Sequence, residues 1–252
     1  MEIMLPPNAH DHQFPLLLFV QGSAWRKQNM AGHLVQLLPF CKRGYVVAMV
    51  EYRSSKIAGF PAQIEDTKKA LHFMVGHQKE FHIDPERIFL WGDSSGANTA
   101  LSTGLTLHNN LLEDDQAAVF SDIQVRGIID FYGPINLLTM NDQPSIQDHM
   151  GSDSPEGAFI GHKRVDQHPE LAQKTSPLHF IRKDANIPPI FIIHGDHDRI
   201  VPFEQSVELY RKLKAEDKQV VFYQLKGADH GDEAFYKDNV YDLVEKFIHQ
   251  NS

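Results

Sequence analysis

The 252-residue sequence predicts an α/β fold, with a mostly parallel central sheet and helices on both faces. Two observations carry this expectation. Apolar runs of strand length alternate with helical stretches along the whole chain, the pattern of repeated strand–helix units. The runs Leu16–Val20 and Tyr45–Val50 are apolar almost without interruption, as parallel strands covered on both faces require.

The elements follow in order. After the strand Leu16–Val20 a helix is expected from about Ala31 to Arg43, and after Tyr45–Val50 another from Pro61 to Phe81. Arg87–Trp91 is a short apolar strand, followed by an alanine- and leucine-rich helix from Ala97 to His108. Val125–Tyr132 reads as a strand that stops at Gly133-Pro134, where the chain turns. Pro188–Ile193 and Val220–Leu225 are further strands, paired with helices from Phe203 to Glu216 and from Asp232 to Gln250. Between residues 134 and 187 the periodicity weakens into a polar stretch containing Asp142, Gln143, Pro144, Ser145, Asp148, Ser152, Asp153, Ser154 and Pro155. It reads as an insertion over the sheet edge, either a passive connection or a contributor to a pocket.

Composition narrows the function classes. A chain of this length with 42% hydrophobic residues suits one domain, 1–252, with a sizeable core. The formal charge of −9, with no long basic run, argues against a nucleic-acid partner. No apolar stretch approaches the roughly 20 residues of a membrane span, so no membrane partner is expected. Cys41 is the single cysteine, so no intramolecular disulfide forms, and its neighbours Leu37-Leu38-Pro39-Phe40 mark it as an inert core thiol. Met1-Glu2-Ile3-Met4-Leu5 meets Pro6-Pro7 without the charged-then-apolar pattern of a signal peptide, and a cytoplasmic location is expected. His10-Asp11-His12 reads as an exposed loop.

Chemistry enters at Gly92-Asp93-Ser94-Ser95-Gly96, which sits between the strand Arg87–Trp91 and a helix. A strand turning sharply into a helix crowds its own backbone, so glycine is needed on both sides, and Ser94 is presented as a nucleophile on a strained turn. A serine hydroxyl needs a base, and the base an orienting acid. Downstream, the strand ending in His194-Gly195-Asp196-His197-Asp198 offers two aspartates, and Lys226-Gly227-Ala228-Asp229-His230-Gly231 follows the last strand. The chain order is therefore serine, aspartate, histidine, unlike the orders in chymotrypsin and subtilisin. His194 and His197 crowd one turn without the wider framework of a zinc site and are expected to brace the loop; neither metal nor cofactor is expected.

The sequence resembles the α/β-hydrolase superfamily, in particular the hormone-sensitive-lipase-like carboxylesterases close to bacterial acetyl-xylan and feruloyl esterase-like (BD-FAE-like) enzymes. Its markers, spread over nearly the whole chain, are Glu51-Tyr52-Arg53, Phe60-Pro61-Ala62-Gln63-Ile64-Glu65-Asp66, Ile83-Asp84-Pro85-Glu86-Arg87-Ile88, the serine motif, and His194 to Pro202. The resemblance implies an α/β-hydrolase fold with a small cap-like insertion at about 134–187. It implies a serine carboxylesterase acting on a small-molecule, short-chain (acetyl-type) ester through an acyl-enzyme, and a homodimer by analogy with the group. Such relatives usually carry a strand or more before this point, so the chain is expected to begin inside an early sheet element or to lack a removed leader.

Residue by residue, the resemblance implies Ser94 as nucleophile and His230 as base. Asp198 is the acid, because Arg199-Ile200-Val201-Pro202 sets its register, and Asp196 is left to bond its own turn. The oxyanion hole is implied to be the backbone N–H groups of Ser23, Ala24 and Ser95. The family loop reads His-Gly-Gly-Gly or His-Gly-Gly-x-Trp, whereas this chain has Gln21-Gly22-Ser23-Ala24-Trp25. Gly22 and Trp25 match; Gln21, Ser23 and Ala24 depart, and Ser23 or Ala24 would be strained by the positive φ that glycine takes freely. Gln21 is expected to hold the loop through backbone, Trp25 to form pocket wall, Asp93 to bond backbone or shape the pocket, and Arg53 to pair with carboxylates near the nucleophile loop. Two alternatives stand beside the esterase: an amidase or arylformamidase using the same residues, and a catalytically silent small-molecule binder. Protonated, His230 cannot act as a base, so activity is expected to fall at acid pH.

Overall fold

The computed structural model describes residues 1–7, 12–108, 120 and 122–252; His10 and Asp11 lie outside them. Seven strands are described: β1 Glu2–Met4, β2 Phe14–Val20, β3 Val46–Val50, β4 Ile83–Asp93, β5 Val125–Phe131, β6 Ile190–Gly195 and β7 Val220–Leu225. They form one sheet in the order β1-β3-β2-β4-β5-β6-β7. β1 runs antiparallel to β3, and every other neighbouring pair is parallel.

The helices are α1 Leu34–Lys42, α2 Ala62–Gly76, α3 Ser95–Leu105, α4 Pro155–Phe159, α5 Pro169–Lys174, α6 Glu204–Ala215 and α7 Asp238–Asn251. Because side chains alternate along a strand, each central strand feeds two cores. Leu16, Leu18, Val46 and Ala48 pack with α2, α3 and α6. Leu17, Phe19, Val47 and Met49 pack with α1 and α7 on the opposite face. Both sets are buried, at about 1.5–3 kcal/mol per large apolar side chain. Cys41 belongs to the second core, where burial pushes its thiol up in pKa and its Sγ contacts the Leu5 carbonyl.

Some boundaries differ from expectation. β1 is an addition, three residues long and antiparallel. The helix expected from Ala31 opens as a 3-10 turn, Met30–His33, before α1 begins. α2 stops at Gly76 rather than Phe81, its last turn closed by the His77 N–H on the Phe73 carbonyl. The C-terminal segment divides at Lys237, whose extended backbone separates the 3-10 turn Glu233–Tyr236 from α7.

The insertion is placed differently too. It joins β5 to β6, which are neighbours inside the sheet, so it does not cover a lateral edge. It rises over the strands' carboxyl ends and builds a third apolar cluster, in which Leu137, Met140, Phe159, Val165 and Ala172 surround Trp25. Among the described residues, no helix is long and apolar enough to cross a membrane.

Candidate active site

After β2 the chain first crosses to β3 on one side, then returns to place β4 on the other. The carboxyl ends of β2 and β4 therefore flank the switch point, where open α/β sheets leave a crevice. β4 delivers Ser94 there. Gly22, Gly92 and Gly96 allow the approach: a Cβ on Gly92 would lie 2.3 Å from the Gly96 carbonyl oxygen, and one on Gly96 would lie 2.0 Å from that of Val20. Ser94 itself has φ 51° and ψ −130°, a region L-residues avoid, imposed here by the sharp strand-to-helix turn.

The structure brings Ser94, His230 and Asp198 together. Ser94 Oγ lies 2.9 Å from His230 Nε2, and His230 Nδ1 lies 2.7 Å from Asp198 Oδ2. A carboxylate can only accept, so Nδ1 carries the proton and Nε2 is left to accept from the serine hydroxyl. Asp198 is held at all corners: Oδ1 accepts from the N–H groups of Ile200 (2.9 Å) and Val201 (2.8 Å), and Oδ2 also meets His194 Nε2 at 3.1 Å. Burial alone pushes this carboxyl up, but the hydrogen bonds and charge of His194 and His230 outweigh it and hold it at about 2. His194 is fixed in turn by Ser206 Oγ, 2.7 Å from its Nδ1.

Asp196 points elsewhere. It accepts from the Gly227 N–H at 2.6 Å and from Gln224 at 2.8 Å, tying the β6 turn to the β7 turn rather than bonding its own turn. Asp229 does the complementary work, holding Arg199 and accepting from the His230 N–H.

The loop after β2 departs furthest from expectation. Ala24 and Trp25 have φ of 55° and 52°, so the torsions that glycine would take freely fall on two residues with side chains. Left-handed torsions cost such residues about 1–2 kcal/mol each. Two neutral hydrogen bonds at about 1 kcal/mol and one to a carboxylate at about 1.5–3 kcal/mol are of the right size to offset this. These are Ser23 N–H and Trp25 N–H to Ser95 Oγ, at 3.0 and 3.2 Å, and Gly22 N–H to Asp93 Oδ1, at 2.7 Å. The Ser23 N–H, expected to face an oxyanion, is thus taken by the Ser95 hydroxyl. Among the described residues, the Ala24 and Ser95 N–H groups have no protein acceptor. Gln21 also differs: its side chain meets His33 Nδ1 at 2.7 Å instead of backbone, and its carbonyl accepts from Gln28. Arg53 pairs with Glu65 and Asp66 near the start of α2.

A cavity of about 610 Å³ opens over Ser94 and His230; Trp25, Pro134, Gln147, Glu156 and Val201 are among its walls. The Trp25 ring is buried and stacks on Phe159 at 4.1 Å and 5°, so α4 fixes one wall. A larger cavity, about 870 Å³, lies at the amino ends of β5 and β6; among the described residues its lining holds no comparable serine–histidine pair.

A switch-point serine on a strained turn, at the carboxyl ends of a mostly parallel sheet, defines an α/β-hydrolase. More narrowly, the chain belongs to the BD-FAE family, whose profile matches residues 1–213. It is 29% identical over 220 residues to Esterase LipC of Mycobacterium tuberculosis, covering 86% of this chain and 53% of that protein. The chain spans about half the length of the curated relatives it matches. Its fold is similar to a truncated carbohydrate esterase from gut microbiota, with TM-score 0.86 and 28% identity over 99% of this chain and 89% of the other. It also resembles an esterase of Thermogutta terrifontis, with TM-score 0.75 and 22% identity over 98% and 86% of the two chains.

Proposed function

We propose that this chain is a serine carboxylesterase that cleaves short-chain, acetyl-type esters through an acyl-enzyme. The observation that carries the reading is the hydrogen-bonded line from Ser94 Oγ through the His230 ring to Asp198, beside a cavity. Ser94 attacks the ester carbonyl as His230 Nε2 takes its proton, and Asp198 holds the ring and stabilises the imidazolium. The same proton passes to the leaving alcohol, and water activated by His230 then releases the acid. The N–H groups of Ala24 and Ser95 face the developing oxyanion. The stacked Trp25–Phe159 wall and Val201 support a confined acyl site. The names of the relatives, esterases among them one for carbohydrate, point the same way.

The test is hydrolysis of p-nitrophenyl esters from acetate to decanoate by the wild type and Ser94→Ala. The expected result is cleavage that is strongest for short chains and lost in the variant. Activity surviving in Ser94→Ala would move the chemistry to another residue, and preference for decanoate would remove the acetyl-type reading.

A further inference from the structure

We propose that the side chains of Asp93 and Ser95, the residues on either side of the nucleophile, are positioning residues that set the oxyanion-binding loop. The inference rests on the serine-esterase reading and adds to it a device for holding the hole in place. Four consecutive amides follow Gln21. Asp93 Oδ1 takes that of Gly22, Ser95 Oγ takes those of Ser23 and Trp25, and only the amide of Ala24 is unspent. The loop is therefore fastened at three of four points to the two residues covalently joined to Ser94.

Those fasteners are themselves locked. Asp93 is buried, and its second oxygen faces His33 Nε2 at 3.3 Å and the Tyr132 hydroxyl at 3.4 Å. Ser95 is buried at the first position of α3. The Tyr52 hydroxyl meets Ser23 Oγ at 2.9 Å, and Ser23 Oγ donates to the Arg26 carbonyl, closing the loop from its outer side. Glycines would reach these torsions unaided; Ala24 and Trp25 reach them because hydrogen bonds fix the amides around them. Nucleophile and oxyanion donor thus share one rigid frame, and the Ala24 N–H keeps its aim without relying on loop flexibility.

The experiment compares wild type, Ser95→Ala, Asp93→Ala and Asp93→Asn with p-nitrophenyl acetate and with a trifluoromethyl ketone, whose serine adduct carries an oxyanion. In Ser95→Ala, kcat should fall about 100-fold while KM moves less than about threefold, and the ketone's inhibition constant should rise in proportion to the fall in kcat. Asp93→Ala should behave alike. Asp93→Asn, whose amide oxygen still accepts from Gly22, should recover at least tenfold of that loss. Retention of kcat within about threefold in Ser95→Ala, or equal activity of the two Asp93 variants, would overturn the proposal. If Ser95→Ala lacks a cooperative melt, the Asp93 pair decides alone. Fluorophosphonate labelling of Ser94 in the wild type separates the two readings: no label and no ester cleavage would sink the esterase reading. With labelling and cleavage present, the variants test only the frame.

Discussion

The two loops that face Ser94 are held by different physics. After β6, a single carboxylate gathers its surroundings: Asp198 draws two backbone amides and two imidazoles onto its oxygens. After β2 no charge occupies the loop centre, and the amides of residues 22, 23 and 25 are gathered instead by side chains reaching across from the β4 turn. A charge organises whatever donors lie near it, so its geometry tolerates changes in the neighbouring residues. A strained loop fastened from outside depends on each fastener separately, since every lost acceptor releases torsions that two non-glycine residues would otherwise leave.

The sharpest way to break the comparison is Asp198→Asn. An amide cannot accept from four donors, so kcat should fall about 10³–10⁴-fold and stability by a few kcal/mol. An unchanged melting temperature would mean that the β6 turn does not depend on the carboxylate. The pH dependence of unfolding separates two buried acids of opposite sign. Asp130, paired with Gly92 on the neighbouring strand, is pushed by burial up to about 7, with the Gly133 N–H pulling the other way. Its folded form keeps a proton that the unfolded chain releases near pH 3.8, so it makes stability fall as pH rises toward 7 and level off above. Asp130→Asn removes that slope, gaining up to about 4 kcal/mol at pH 8 relative to pH 4 in urea unfolding. Curves that stay parallel for variant and wild type would rule this out. Asp198, held at about 2, contributes the reverse: stability present above pH 3.8 and lost as pH falls through about 2. The smallest effect is expected from Phe159→Leu, which removes the ring beneath Trp25. KM for the acetate ester should rise about three- to tenfold with kcat nearly unchanged, the size of one aromatic contact. A fall in kcat alone would place Trp25 with the chemistry instead.

What could be read from the sequence follows the same division. Ser94 and His230 each sit in a short glycine-marked turn after an apolar strand, so pattern and chain order point to them, whereas Asp196 and Asp198 share one turn and only the family resemblance separates them. β7 was legible to the residue because its apolar run has the length of the strand itself. The loop after β2 was legible only as a departure from a glycine pattern. Which amides face inward depends on torsions at Ala24 and Trp25, and these depend on Ser95 and Asp93, some 70 residues away. Gln28, which bonds the Gln21 and Val50 carbonyls, and His33, which meets Gln21 and Asp93, carried no signal at all, since a polar residue on a linker usually faces water. β1 was too short for a periodicity to register.

Ser94 and His230 stand 136 residues apart in the chain, just after strands separated by two others. The loop after β2 and the turn after β6 must join them, so no contiguous half of the polypeptide contains the whole constellation. Helical content and partial collapse can return in any order during renaturation, but the activity proposed above can return only when the first loop and the last turn have met across the finished sheet. On the proposed reading, esterase turnover would therefore report the chain's final assembly step, more stringently than any spectroscopic measure of secondary structure.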